Sequence, residues 1–450
     1  MTDHPDYPKI NASPTKEFFI SILVRDVNLP DAINDLVDNC IDGARRMRPN
    51  GEYKGLSIDI EFDDNHFTII DNCGGIPYEV ARDYAFRFGR APGAPSTDGS
   101  IGKFGVGMKR ALFKIGNKFE IESTSSTSKF KMDVDVNIWK AKLDSAGHDL
   151  WEFEFQKLET DSKFGEEKCG TILSISSLHE TIQEEFKLKS FENRLADSLQ
   201  AAHEQSMEHG LDISVNEIHL KHKLAYLLFS QKIKPLKIEI NFPFDPNSTD
   251  IDKDVKATIF AGISGPDMNE AGWYIICNGR QVLRADKSRI TGWQETFDNL
   301  TIPKAHYQFA RFRGYVFFES NDASSLPWNT AKSGIDTESR VYQAAKLEMI
   351  AAMRQVIDFL NKLDSEQDTE LTVLLDEVEA ASPTKLMAIP ISQTFVYPNP
   401  GVAVPPQKNV KIGFSRPVEE VAFAKEFFDV SSAKLAGEKA FEYFLEREKE

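Results

Sequence analysis

The stretch DLVDNCIDGARR, Asp35 to Arg46, constrains this chain more than any other. Leu36, Val37, Cys40, Ile41 and Ala44 recur at helical spacing and predict a helix with one apolar side turned to a core. Asp35, Asn39 and Gly43 fall four apart, as do Asp38 and Asp42, so two polar lines run along another side. A carboxylate and an amide one turn apart can serve a magnesium-bound nucleotide. The amide oxygen suits Mg²⁺, a hard cation that takes few protein ligands and keeps waters and phosphate oxygens. The carboxylate can orient and deprotonate a water. By itself the same pattern also describes a solvated helix face.

Three later stretches bear on that choice. FTIIDN reads as a strand that ends at Asp71 and runs into CGGIP. GSIGKFGVGMKRALFKIG, Gly99 to Gly116, is a glycine-rich loop entering a helix, with Gly102, Gly105 and Gly107 in GxxGxG spacing. Such a loop gathers backbone amides at a helix N-terminus, where they can cradle phosphate. It is neither a Walker A loop, since the GxxxxGK[ST] frame is missing, nor a dinucleotide fingerprint, since no strand leads directly into it. CGTILSI, Cys169 to Ile175, is a strand opened by Gly-Thr.

In order and spacing these four stretches resemble the GHKL ATPase superfamily, which includes DNA gyrase, heat-shock chaperone ATPases, histidine kinases, MutL and MORC proteins. The resemblance covers roughly residues 15 to 180, with a weaker extension to about 365. It implies an α+β chain: a GHKL (Bergerat) α/β sandwich, a smaller α/β transducer-like domain and a short helical C-terminal tail. It also implies ATP and Mg²⁺ as cofactors. Asp35 takes the place of the catalytic base, Asn39 that of the Mg²⁺ ligand, and Asp71 that of the carboxylate that accepts the adenine amino group. Gly75 matches the second glycine of DxGxG, with Ile76 beside it, and Thr171 matches the threonine that helps hold adenine. Gly102, Lys103, Phe104, Gly105, Val106 and Gly107 match the phosphate-binding lid. Two positions depart from the family pattern. Cys73 stands at the usual first glycine, where adjacent Gly74 can take up positive φ. The base position holds Asp, one methylene shorter than the usual Glu, which points to slow turnover.

The expected organisation is a mobile polar leader at 1–14, an ATP-binding domain at 15–185, a transducer-like domain at 186–365, an acidic and proline-rich linker at 366–410 and a helical segment at 411–450. Residues 179–210 read as one helix closing at Gly210, WEFEFQKL as a strand, and residues 383–408 as an extended linker or a wrapping segment. In the second domain, GWYIICNGRQVL resembles a transducer strand with its recurrent NGR turn. The loop bearing Thr330, Lys332 and Ser333 precedes a long amphipathic helix, and in the family a lysine from this region reaches the γ-phosphate; Lys332 is the candidate. Of the cations from Lys103 to Lys118, Lys103 is expected near phosphate and the others on a solvated helix face.

A net charge of −17 argues against a protein coated for nucleic acid, while a local basic groove stays open. Four scattered cysteines without zinc spacing predict reduced thiols in a cytoplasmic protein, and no apolar run reaches membrane-spanning length. Only 34 residues precede Asp35, and His4, the histidine among them, has no helical context, so a histidine kinase with its phospho-accepting helix is not expected; the chain also looks too short for a DNA-cleaving domain. The layout therefore looks most like a MutL or MORC ATPase module or a stand-alone bacterial relative, a family context that includes DNA-related and defence processes. The expected function is a slow Mg²⁺-dependent ATPase whose lid closes on nucleotide and drives homodimerisation. Two alternatives stand beside it: a non-hydrolysing ATP-gated scaffold, and a partner-dependent nucleic-acid processing subunit that engages DNA or an unidentified protein.

Overall fold

The computed structural model describes residues 12–25, 27–89, 98–102, 105–222, 226–243, 253–297, 300–365, 378–397, 413 and 415–448. The expected leader up to residue 11, residues 90–97 of the expected lid, Lys103 and Phe104, and most of the expected linker fall outside them. Two compact units divide after Pro398.

Helix α1 (Lys16–Arg25) leads into α2 (Leu29–Met47), which contains the key stretch. Asn28 caps α2 by accepting the Asp31 N–H at 2.8 Å, Pro30 sits in its first turn, and Arg45 and Arg46 complement the dipole at its end. Ile33, Val37, Ile41 and Ala44 are fully buried along one stripe. Strands β1 (Ser57–Phe62) and β2 (Phe67–Asp71) form the hairpin expected around Asp63-Asp64-Asn65. After the short helix α3 (Tyr78–Val80) and the glycine-rich loop comes α4 (Gly107–Ile115), packed against α1 and α2. Then follow β3 (Gly116–Thr124), β4 (Lys129–Asp135), α5 (Val136–Ala141), β5 (Lys157–Glu159) and β6 (Gly170–Leu178).

The expected single helix over 179–210 is three helices: α6 (Glu180–Phe186), α7 (Lys189–Ala202) and α8 (Glu204–Glu208). The turn at Leu188 and the bend at His203 let Phe186, Phe191, Leu195 and Leu199 all face the core, which one straight helix does not permit. WEFEFQKL is likewise paired only at its end, in β5, because Trp151 and Phe153 turn inward against the aromatic cluster around Phe88 and Trp139, and Phe155 against Tyr78 and Phe130. Strands β7 (Asp212–Val215) and β8 (Ile218–His219) complete an eight-stranded mixed sheet of order β5-β4-β3-β6-β2-β1-β7-β8, in which β7 runs parallel to β1. The mixed sheet with its helices is the expected α/β sandwich.

A second sheet of order β10-β11-β16-β12-β13 is built from β10 (Leu236–Phe242), β11 (Val255–Ile263), β12 (Gly272–Cys277), β13 (Arg280–Asp286) and β16 (Phe312–Glu319). Between them lie the two-residue pair β14 (Thr296–Phe297) and β15 (Leu300–Thr301), and β9 (Leu227–Phe229) precedes them. Helix α9 (Arg340–Ser365) packs on β11 through a stripe that includes Met349, Met353, Val356 and Leu360. Of the expected acidic and proline-rich linker, the described part wraps this domain: β17 (Glu379–Ala381) pairs with β9, bridges join Lys237 to Ser392 and Lys234 to Val396, and Phe395 is buried. The C-terminal unit is a pair of packed helices, Val418–Phe427 and Ala433–Glu448.

Candidate active site

Both polar lines of α2 are buried except at Asn39: Asp35, Asp38 and Asp42 lie in the interior and Asn39 is exposed. Isolated buried carboxylates are costly, and each of these has partners. Asp35 Oδ2 accepts from the Arg110 guanidinium on α4, and Asp35 Oδ1 accepts from Lys332 Nζ at 3.0 Å. Lys332 Nζ also donates to Asp38 Oδ2 at 2.8 Å. Lys332 is 297 residues from Asp35 in sequence, is 4% exposed, and holds a left-handed backbone at φ +53°. Burial alone lowers its pKa, but Asp38 and Asp35 together outweigh that and leave it above the usual lysine value. On the far side of Asp38, Arg280 Nε stands 3.6 Å and His203 Nδ1 3.9 Å from Oδ1, and Arg280 also donates to Asn34 Oδ1 at 2.9 Å. Burial, then Arg280 and Lys332, hold His203 well below the ordinary histidine pKa, so it is neutral.

Lys109 and Arg110 correct the expectation of a solvated helix face. Both are buried, Arg110 against Asp35 and Lys109 with its ammonium donating to Ala85 O at 2.8 Å. The reason is tertiary: α4 is covered by both α1 and α2, and burial pushes the Lys109 ammonium down to about 7. A charged residue at the start of a glycine-loop helix was the available signal for Arg110, and the third residue of the NGR turn was the signal for Arg280. Nothing local marks His203.

The loop approaches α2 closely. Gly102 N–H donates to Asp42 Oδ2 at 2.7 Å and Ile101 N–H to Oδ1 at 2.8 Å. At Gly107, a side chain would begin 3.0 Å from the Asp35 carboxyl carbon, so the first turn of α4 reaches Asp35 only because no Cβ stands between them. Val106 precedes α4 without a side-chain cap, which leaves first-turn amides for an anion, and Gly105 takes φ +63°.

At the other end, Asp71 and Thr171 are cross-strand partners of β2 and β6. Thr171 Oγ1 lies 3.0 Å from Ser123 Oγ, which accepts the Ile76 N–H at 2.8 Å. The path through the motif is carried by Gly74 and Gly75, at φ +92° and +64°, while Cys73 keeps an ordinary backbone and donates its N–H to Asp71 Oδ1 at 2.8 Å. Gly75 admits no side chain, since a Cβ would meet Thr124 O at 2.0 Å. Burial raises the Asp71 pKa from 3.8 to about 6, although the Cys73 N–H, the Cys40 thiol, the Thr171 N–H and Arg46 pull it back.

The structure thus brings Asp35, Asn39, Gly102, Gly107 and Lys332 together along the middle of α2, and Asp71, Gly75, Ile76 and Thr171 to the end of β2, with Lys103 and Phe104 outside the described residues. Residues 27–171 match the sequence model of the histidine kinase-, DNA gyrase B- and HSP90-like ATPases. This segment is a GHKL-type ATPase domain. ATP binding and hydrolysis are the activity of GHKL ATPases in general. No curated protein matches the chain. Among the described residues no helix is long and apolar enough to cross a membrane.

The donor set of this GHKL domain fits Mg²⁺ in one way. Among the described residues no cluster of three or more His, Cys, Asp or Glu side chains could hold a metal alone. An exposed amide such as Asn39 suits a cation that takes its other ligands from substrate phosphates and water.

The raised pKa of Asp71 gives a first prediction. A carboxyl whose folded pKa is raised favours the fold fully below the unfolded value, 3.8, and that contribution is lost as pH rises through about 6. Near neutrality the carboxylate is therefore a burden that Asp71→Asn removes. The difference, about 6 minus 3.8, corresponds to roughly 3 kcal/mol at most. Partial exposure of Asp71 brings the expectation to about 1–2 kcal/mol of stabilisation near pH 8. Urea unfolding measures it, and the gain should vanish below about pH 4. An equal gain at both pH values would detach it from this carboxyl.

Proposed function

We propose that the chain is a slow Mg²⁺-dependent ATPase in which nucleotide binding is read by the second sheet through Lys332. One observation carries the reading: Lys332, supplied from beyond β16, is ion-paired with Asp35 and Asp38 on the ATP-domain helix. Asp71, with Thr171 beside it, accepts from adenine. Asn39 supplies an oxygen to Mg²⁺, which neutralises phosphate charge when bound. Gly102, Gly105 and Gly107 let backbone amides approach the phosphates, together with Lys103, Phe104 and Val106. Asp35 orients water and takes its proton for in-line attack on the terminal phosphate, a reaction in which positioning and charge stabilisation supply most of the rate. Lys332, a compact cation, exchanges its carboxylate partners for that phosphate. The resulting closure favours pairing of two copies. The four unpaired cysteines support a reducing, cytoplasmic setting.

A second reading is favoured by a specific observation. Both oxygens of Asp35 are engaged, one by Arg110 and one by Lys332, so neither is free to take a proton while both pairs last. On that reading the chain is a non-hydrolysing ATP-gated switch.

Calorimetry with Mg·ATP and a phosphate-release assay test the proposal together. Binding that disappears with EDTA or in Asn39→Ala, with slow release by the wild type, is expected. Binding without release selects the switch, and no binding removes both readings.

A further inference from the structure

The NGR turn makes a contact that the nucleotide chemistry above does not use. Asn278 and Gly279 join β12 to β13 as a two-residue hairpin with both residues left-handed, at φ +47° and +76°. Asn278 is buried, and each of its polar groups has a partner. Its side-chain amide donates to Ser100 O at 3.0 Å and to Ser320 O at 2.9 Å, and its side-chain oxygen accepts the Ser320 N–H at 3.0 Å. Its backbone N–H donates to Phe318 O at 2.8 Å, and its carbonyl accepts Arg45 Nη2 at 2.5 Å.

The two things joined are both parts of the site. Ser100 lies in the root of the glycine-rich loop, where Arg45 also donates to Gly99 O and Asp42 takes the N–H groups of Ile101 and Gly102. Ser320 directly follows β16, the strand that leads into the Lys332 loop. Only a carboxamide meets these demands, because two donors face carbonyls and one acceptor faces an N–H. A carboxylate of the same size would set negative charge against two carbonyl oxygens.

We infer that Asn278 is a positioning residue of the nucleotide site: its carboxamide ties the root of the glycine-rich loop to the strand that carries the Lys332 loop, so the two shift together. The inference rests on the proposal that this loop and Lys332 serve ATP. The coupling is carried by hydrogen bonds of fixed geometry, separately from the ion pairs around Asp35.

The test uses the full chain as wild type, Asn278→Asp and Asn278→Gly. Glycine removes the carboxamide while keeping the left-handed backbone, so it decides the matter if the aspartate variant does not fold. Calorimetry gives affinities for Mg·ADP and Mg bound to a non-hydrolysable ATP analogue, and hydrogen exchange follows residues 99–102 and 312–320. In the wild type the analogue should protect both segments. In the variants the loop root should still be protected, protection of 312–320 should be lost, and the preference for the ATP analogue over ADP should fall about tenfold with ADP affinity little changed. Joint protection in the variants, as in the wild type, overturns the inference and leaves the ATP reading intact. Failure of the wild type to bind Mg·ATP overturns both.

Discussion

Asp35→Asn should lower phosphate release by about 10²–10⁴-fold, the usual contribution of a positioned general base. Mg·ATP affinity should stay within a few-fold, because Asn39 and Asp71 are untouched and the amide has the carboxylate's size. The variant should also be less stable. Asp35 is shared by Arg110 and Lys332 in a buried site, and removing one member of such a pair typically costs about 3–5 kcal/mol. Urea unfolding should find the lower stability, and single-turnover phosphate release well below the transition should find the lost rate. Normal release by Asp35→Asn would move the base elsewhere, with Asp38 the neighbour to test next. Asp35→Glu, which restores the length usual in GHKL proteins, should not speed the reaction. Gly107 already lies against the Asp35 carboxyl, so a further methylene must displace the first turn of α4 or the Arg110 contact.

Lys332→Ala should destabilise the chain by about 3–5 kcal/mol and abolish nucleotide-dependent compaction. Among the described residues, the stability loss follows from leaving Asp38 with Arg280 at 3.6 Å as its remaining cationic partner, beside neutral His203, and Asp35 with Arg110. Lys332→Gly should recover about 1 kcal/mol of it, since glycine holds φ +53° without strain, and the comparison separates backbone cost from charge. Because the Lys332 pKa is raised, its pairing contribution is full below the ordinary lysine value and is lost only as pH rises through the raised one, in the alkaline range. Small-angle scattering with an ATP analogue should show compaction in the wild type and none in either variant. ADP affinity should be unchanged, and ATP affinity somewhat reduced. Compaction of Lys332→Ala like that of the wild type would assign terminal-phosphate sensing to another cation, with Lys103 the first to examine.

What was legible in the sequence is what short range determines. The apolar stripe of α2, its Asn28 cap and Pro30 are set within a few residues, as is the hairpin at Asp63-Asp64-Asn65, and the structure has each of them. The order of the four motifs sufficed for the GHKL resemblance because each packs its chemistry into a few neighbouring residues. The burial of Asp38, Asp42, Lys109 and Arg110 was not legible. A charged residue at helical spacing reads as solvated unless its partner is known, and the partners here come mostly from other elements: Lys332 and Arg280 for Asp38, the root of the glycine-rich loop for Asp42, Ala85 O for Lys109 and Asp35 for Arg110. The break of 179–210 into three helices escaped for a related reason: local propensity favours continuing the helix, and only the position of the core makes turning at Leu188 and His203 favourable. Sequence alone therefore determined the elements with strong local signals and the motifs that carry the GHKL resemblance. Tertiary structure decided which charges share a desolvated space, and with it that Asp35 is held by Arg110 and Lys332 at once, because a buried charge persists only where the fold delivers its counter-charge.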